Sequence, residues 1–544
     1  MFERPSPSPQ HGVEWKPSTH QLLIMFTLSV VSFMVALDAC IIVTSLSAIV
    51  QDLGGTTSQG LWVGTSYLLA NAVTMPFLAA IGDIFGRPII LASSVVLFAA
   101  GSAICCSARD IGVLIGGRSL QGIGGGGIVI LSLVIFTDIV PLRHRPKWYG
   151  TVQAAWALGN CIGPLIGGVI AEKTTWRWIF YLMFPFCAFG LVTIPLLLTL
   201  KPKKETLGKK LARVDWIGGF IFTSSATTFL IAISWGGTQY AWASVHSLAP
   251  LILGVVGLVA VCFWEHFWAR EPFLPPSLFK NASAVATFVC GGSQGLLLYG
   301  QLYWLPFYFL AVLGHSPIRT GIDLFPVTFT LIPSSIITGV LVTRFNSARY
   351  PIWAGWAVVT AGCGVTIALK PGTHTVVWAV ALVLLGFGHG SILNAQNFAS
   401  QAICDSGQEA SAAIMYGFLR QFGTAIGVGL GSTIFQNAMK LKLGWEGLST
   451  DLAHEAEAFV PRLLAMPDNA EKRQILDCYM YGLRGVYLGF LSLAATSFLV
   501  SLLIKHHDMN KEIETGHVLG STLLVTLKES KDSSGFPTEE QLVT

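Results

Sequence analysis

A chain of 544 residues in which 53% are hydrophobic and only 11% charged cannot clothe a water-soluble body of its size, because soluble proteins carry about 25% charged residues. The mean hydropathy of +0.63 places it with all-α polytopic membrane proteins. A net charge of +4 without a long Lys/Arg run offers no footprint for a phosphate backbone and sets nucleic acid aside as a partner.

The opening MFERPSPSPQHGVEWKPSTH is polar and Pro/Ser-rich. It lacks the basic region and short apolar core of a secretory leader, so residues 1–20 read as a disordered tail and the first span as its own insertion signal. Crossing about 30 Å of hydrocarbon takes roughly 20 apolar residues. Fourteen stretches meet that length: 22–48, 61–81, 88–107, 112–136, 148–170, 178–199, 215–235, 248–268, 284–312, 321–343, 351–369, 375–398, 409–436 and 481–504. With the N-terminus in the cytoplasm, the short inside loops carry fourteen Lys and Arg, including Lys201, Lys203, Lys204 and Arg270, and the short outside loops five. That asymmetry sets the orientation, and an even span count returns the C-terminus to the cytoplasm.

The first span carries Asp38. It reads either as a carboxylate wetted near the outer end of its helix or as a titratable group facing a cavity. Desolvation favours its neutral form and a nearby arginine its charged form, and a group balanced between the two can load and release a proton.

The fourth span holds RSLQGIGGGGIVI, residues 118–130, in which Gly122, Gly124 and Gly127 fit G-x-G-x-x-G. A dinucleotide fingerprint follows a strand and opens a helix of a βαβ unit. Here the glycines lie mid-span, where the backbone has no water and stays helical, so the run reads as a close-packing surface and no nucleotide cofactor is implied. Arg118 in the same span costs at least about 2.5–3.5 kcal/mol to insert unless it is paired or wetted. It either snorkels to the interface or faces a cavity. Gln121 three residues on and the carboxylate of the first span favour the cavity.

Farther along, Asn281-Ala-Ser283 fits the glycosylation sequon but falls inside, and is expected to be unmodified. His389, flanked by glycines, reads as a helix-contact residue. Residues 437–480 form a polar outside loop able to make short amphipathic helices, and 505–544 a polar, mostly disordered tail. The ten cysteines show no CxxC pair and no Cys/His metal spacing, which predicts neither a disulfide framework nor a metal site. Cys478 falls in the outside loop.

Four motifs carry a family resemblance. AAIGDIFGRP after the second span resembles G-x-L-x-D-R-x-G-R-K: Asp83, Gly86 and Arg87 match, Gly82 stands at a free position, and Ala79, Ile81, Ile84 and Pro88 depart. RSLQGIGGGG matches a fourth-span motif through Arg118, Gln121 and Gly122. GNCIGPLIGGVI matches G-x-x-x-G-P-x-x-G-G at Gly159, Gly163, Pro164, Gly167 and Gly168. LDACIIVTSLSAI agrees with a first-span motif at Leu37, Asp38, Ile41 and Leu46, and departs at Cys40, Ser45 and Ser47. The chain resembles a major facilitator superfamily transporter of the fourteen-span drug:proton antiporter branch, over roughly 22–504. WRWIFYL, Trp176–Leu182, fits that branch. GVLVTRFNSARYP, 339–351, reads as a decayed copy of the first motif, with Thr343 in place of Asp83.

The resemblance implies a six-helix bundle over 21–199, a basic loop and two inserted helices over 200–280, and a second six-helix bundle over 281–504, with repeats facing a midplane site. It implies a conformational gate at Gly82, Asp83, Gly86 and Arg87, and proton coupling through Asp38 and Arg118. Candidate cavity residues are Asn71, Gln121, Gln153, Trp156 and Asn160 from the first half. From the second come Gln294, Tyr299, Gln301, Tyr303, His389, Asn394, Gln396, Arg420 and Gln421. Their mixed aromatic and amide character suits a bulky, amphipathic, largely uncharged organic molecule. The expectation is a monomeric plasma-membrane transporter, neither an enzyme nor cofactor-dependent, exchanging protons for a toxin, drug or secondary metabolite. A siderophore or amino-acid transporter of the same fold is the alternative.

Overall fold

A computed structural model of the chain describes residues 17–509, apart from 43, 56, 199–205, 237–239, 241, 270–271, 406 and 454–455. The tail expected over 1–20 and the loop cations Lys201, Lys203, Lys204 and Arg270 fall largely or wholly outside the described residues, as does 510–544 of the C-terminal tail.

The helices run α1 (Thr19–Ile41), α2 (Leu46–Asp52), α3 (Thr57–Phe85), α4 (Arg87–Ser107), α5 (Ile111–Ile139), α6 (Arg145–Lys173), α7 (Trp178–Tyr181) and α8 (Met183–Leu197). There follow α9 (Leu207–Arg213), α10 (Trp216–Trp235) and α11 (Val245–Phe267). The rest are α12 (Ala282–Ala311), α13 (Pro317–Asp323), α14 (Phe325–Phe345), α15 (Arg349–Thr366), α16 (Thr375–Ile403), α17 (Glu409–Trp445), α18 (Ala456–Ala465) and α19 (Ala470–Ser501). Each of the fourteen predicted stretches falls on a helix or a briefly interrupted pair. Twelve of these are long and apolar enough to span a membrane. α15 and α17 are not among them, because polar and weakly apolar residues dilute each: Arg349, Tyr350, Pro351 and several glycines in α15, and Arg420, Gln421, Gln436 and Asn437 in α17.

Local chemistry sets several boundaries. Ser18 and Gln21 form a reciprocal capping box at the start of α1, and Asp110 caps α5 by accepting from Val113 N at 3.0 Å. The single predicted first span is two helices, because Thr44 Oγ1 and Ser45 Oγ turn away to donate to the carbonyls of Pro164 and Gly167, at 2.8 and 2.9 Å. The polar loop expected over 437–480 is also corrected. α17 continues to Trp445 and α19 begins at Ala470; between them, among the described residues, lie one 3-10 turn and α18, a short helix of the kind expected there. Cys478 therefore lies buried in α19 rather than in a loop. The start of the C-terminal tail is tied down: Asn346 Nδ2 donates to Asp508 at 2.6 Å, and Met509 is buried.

The two halves repeat one packing scheme. In the first, α1 lies along α6 while α3 and α4 flank α5. In the second, α12 lies along α17 while α14 and α15 flank α16. α10 and α11 pack on each other. The decayed sequence repeat is matched in backbone: Gly86 joins α3 to α4 with φ 110°, and Asn346 follows α14 with φ 50°. Gly86 suits this left-handed region for lack of a Cβ, and Asn346 tolerates it through its short polar side chain.

Across the halves, α6 packs on α14 and α3 on α17. At the end carrying the α3–α4 turn the halves are sealed. Arg145 Nη1 donates to Gln401 Oε1 at 2.7 Å, Asn394 Nδ2 donates to Pro146 O at 2.9 Å, and the Tyr149 ring sits between Phe136 and Phe398. From mid-bundle toward the opposite end a narrow cleft remains between α6, α12, α13 and α14, lined by Trp156, Asn160, Pro164, Leu298, Leu302 and Leu331 among others.

Candidate functional site

A carboxylate and a guanidinium placed in apolar helices must find each other or water. They find each other. Arg118 Nη1 donates to Asp38 Oδ2 at 2.6 Å, and both side chains are 0% exposed. Gln121 ties the pair together. Its Oε1 accepts from Arg118 at 2.7 Å, and its Nε2 donates to Asp38 Oδ1 at 2.9 Å and to Ser102 Oγ at 2.9 Å. Arg118 Nε donates to Val63 O at 3.2 Å, and the guanidinium lies 4.2 Å from the Tyr67 ring centre. Four helices thus close around one ion pair: α1, α3, α4 and α5. Asp38 is not wetted at its helix end, and Arg118 does not snorkel. The cavity exposure expected for both is absent here: the pair is sealed within the first half.

The glycines explain why α5 can sit so deep. On one of its faces Gly122 and Gly126 abut the backbone of α3. On the other, Gly124 abuts α4 backbone and Gly127 the side chain of Ser94. A Cβ at any of these positions would collide with its neighbour, so the G-x-G-x-x-G pattern is a two-sided packing surface. A second stripe joins the ion pair to the cleft. Gly159, Gly163 and Gly167 on α6 rest against the backbone of Phe33, Leu37 and Ile41 on α1, to either side of Asp38. Gly168 points elsewhere, with only ordinary contacts near Ile318. On the same seam Cys40 Sγ donates to Asn160 Oδ1 at 3.2 Å. Asn160 and Trp156 line the cleft, so α1 and α6 form a rigid unit with the ion pair on one side and the cleft on the other.

The turn after α3 holds its expected partners and one that the sequence did not reveal. Arg87 Nε donates to Asp83 Oδ1 at 2.9 Å, and Arg87 Nη1 pairs with Asp138 at the end of α5. Gly82 lets α3 approach Leu131 of α5. Asp138 lies just past the predicted end of its span. The signal was an acidic residue closing an otherwise uncharged run. Arg145, counted as a loop cation, is the other omission. It is buried, donates to Val140 O and Thr137 O, and reaches across to Gln401.

The remaining candidates separate by placement. Trp156 and Asn160 line the cleft, and the Tyr299 ring lies tilted beside Trp156, with centres 6.1 Å apart. Asn394 sits in the sealed seam. His389 Nε2 and Gln301 Oε1 lie 3.0 Å apart within the second half, where Gln301 also donates to Cys363 Sγ. Gln396 donates to Thr287 O, and Tyr303 meets Trp304 edge to face. Asn71 is packed between α3 and α5. Gln153 and Gln421 are buried on α6 and α17. Gln294 is 0% exposed, and neither its amide oxygen nor its nitrogen has a partner among the described residues. Arg420 on α17 lies 5.2 Å from the Trp156 ring centre across the two halves.

The family model described as the Major Facilitator Superfamily matches residues 28–428. MFS transporter L2 of Phoma sp. is 37% identical over 506 residues, covering 92% of this chain and 85% of the relative. MFS-type efflux pump LUC4 of Fusarium sp. is 32% identical, over 95% of this chain and 92% of the relative. MFS efflux transporter aclA of Aspergillus oryzae is 33% identical, over 94% and 95%. Among solved structures, the human organic anion transporter MFSD10 superposes with a TM-score of 0.60 at 12% identity, covering 89% of this chain and all of that one. At that identity the likeness bears on the fold.

Proposed function

Because the chain belongs to the major facilitator superfamily, a family of multi-pass membrane transporters for small molecules, we propose that it exports a small amphipathic organic compound in exchange for protons. The relatives named as efflux pumps, similar over nearly their whole length, support the direction. We place the basic α3–α4 end and both termini in the cytoplasm by the positive-inside rule, and the molecule in the plasma membrane, working as a monomer without catalytic chemistry.

The observation that carries this reading is the Asp38–Arg118 pair enclosed against the α1–α6 glycine seam. Protonating Asp38 removes the counter-charge of Arg118 and loosens the bonds that Gln121 shares between them. α1 is locked to α6 backbone against backbone, so any shift of α1 carries Trp156 and Asn160 with it. In the present conformation the cytoplasmic seam is shut by Arg145–Gln401 and Asn394–Pro146, and the cleft lies toward the opposite face. Opening the seam and closing the cleft is the alternation required of a shared midplane site. The Arg87–Asp83–Asp138 cluster sits beside that seam and serves as its latch.

Inverted vesicles test the proposal. An imposed proton gradient should drive accumulation of an amphipathic test compound, and Asp38→Asn should abolish the gradient dependence. Accumulation that ignores the gradient, or that Asp38→Asn leaves unchanged, overturns it.

A further inference from the structure

A buried cation needs an anion. Asp38 answers Arg118, Asp138 and Asp83 answer Arg87, and polar acceptors surround Arg145. Arg420 differs. It is 7% exposed, yet it makes no ion pair and no hydrogen bond among the described residues, and its Nη1 is fully buried without a partner. It lies over the face of Trp156, on the opposite half of the molecule, with Tyr149, Tyr299 and Tyr416 within electrostatic reach. A guanidinium held in low dielectric among aromatic rings, with no anion beside it among the described residues, is an incomplete interaction.

A second group is orphaned nearby. α12 crosses α17 so closely that Gly295 abuts the Arg420 carbonyl. The preceding residue is Gln294, wholly buried with both amide atoms unpartnered. Gln294 lies one helical turn before Leu298, which lines the cleft together with Leu302 another turn on, and residues four apart share a helix face. An unneutralised guanidinium thus lies against Trp156 of the cleft wall, with Tyr299 beside the same ring, and the α12 face that lines the cleft carries an unsatisfied amide one turn before Leu298.

We propose that Arg420 and Gln294 form an anion subsite adjoining the cleft behind Trp156 and Leu298, and that the exported compounds carry a carboxylate or acidic enol conjugated to an aromatic or other flat apolar body. The guanidinium supplies the counter-charge and a planar pair of donors for a bidentate oxyanion. The amide of Gln294 donates a further hydrogen bond, and the two aromatic rings hold the flat body. This replaces the uncharged cargo suggested by side-chain character alone, and it rests on the transport reading above.

The test uses the full chain in nanodiscs with 2-naphthoate, its neutral analogue 2-naphthamide, and chloride or inorganic phosphate as small-anion controls. Naphthoate should raise the thermal unfolding midpoint saturably, with at least a tenfold weaker apparent affinity for naphthamide and no saturable effect of the small anions. Arg420→Gln should abolish the naphthoate response, while itself unfolding no lower than the native chain because an unneutralised buried cation has been removed. Arg420→Lys should retain a weakened response. Equal responses to acid and amide, an undiminished response in Arg420→Gln, or no response to naphthoate, salicylate and anthraquinone-2-carboxylate alike would overturn the subsite. A response to chloride or phosphate matching that to naphthoate would overturn the aromatic class. In inverted vesicles, gradient-driven uptake of the amide but not the acid sinks the subsite and leaves the transporter standing. Uptake of neither, with naphthoate still bound, sinks the transporter and leaves the subsite.

Discussion

Replacing Asp38 by Asn is the most informative single change. Both carboxylate oxygens accept: Oδ2 from Arg118 at 2.6 Å and Oδ1 from Gln121 Nε2 at 2.9 Å. Asparagine keeps the shape but offers one acceptor and one donor. Its NH2 must then face either the guanidinium or the amide nitrogen of Gln121, and Gln121 cannot flip without surrendering its bonds to Arg118 and Ser102. The substitution therefore leaves a buried cation without counter-charge and sets two donors against each other. Breaking one partner of a buried pair costs about 3–5 kcal/mol, and at about 1.36 kcal/mol per decade that is two to four decades in the unfolding equilibrium. Arg118→Met should cost a similar amount by stranding the carboxylate. The apolar double variant Asp38→Leu/Arg118→Met should cost far less than the sum, because replacing both ions together is often close to neutral. Denaturation in mixed micelles gives the three values of this cycle. Additive losses, or single losses below about 1 kcal/mol, would refute the reasoning. The double variant should fold yet lose proton-driven transport, which separates the pair's functional role from its effect on stability.

The glycine seam predicts a contrast between adjacent positions. A Cβ at Gly167 would collide with Ile41 O, a backbone atom that cannot rotate away, whereas one at Gly168 meets nothing nearer than 3.8 Å. Gly167→Ala should cost about 1–3 kcal/mol by overpacking and Gly168→Ala less than about 0.5 kcal/mol, both read from unfolding midpoints. Asp138→Asn should strand buried Arg87 with Asp83 alone. It should free the end of the bundle that carries the α3–α4 turn, measured as faster labelling of Cys404, which is half-buried in the native chain, while Asp83→Asn should have the smaller effect because Asp83 is the more exposed partner. At the opposite end, hydrogen bonds from Trp176 and then Arg177 hold the Asp52 carboxyl below its ordinary value of 3.8. Its stabilisation is thus fully present above that value and is lost as pH falls through the lower folded one, so the gap in stability between native and Asp52→Asn should close as the pH drops below about 3.8.

Span positions were legible because they follow from run length and from the absence of water in the bilayer, both local properties of the chain. The turn at Gly86 was legible for the same reason: its φ of 110° requires glycine whatever surrounds it. The stripe at Gly159, Gly163 and Gly167 announced a close helix contact through its four-residue spacing alone, though not that the neighbour would be α1. The interruption after Ile41 was not legible, since it depends on Thr44 and Ser45 reaching carbonyls some 120 residues away. Nor was the true length of α17 and α19, whose polar ends read as loop.

Pairing was decided by the tertiary structure. Asp38 meets Arg118 across 80 residues, and Arg145 meets Gln401 across 256. Which side chains meet depends on how each helix is rotated about its own axis. In a soluble helix that rotation is written as an apolar stripe, but α5 is buried on nearly every side, so the stripe vanishes. The amino-acid order therefore settled where the helices are and where they can touch. Only their packing decided that Asp38 and Arg118 neutralise each other while Arg420, also buried, meets no anion among the described residues.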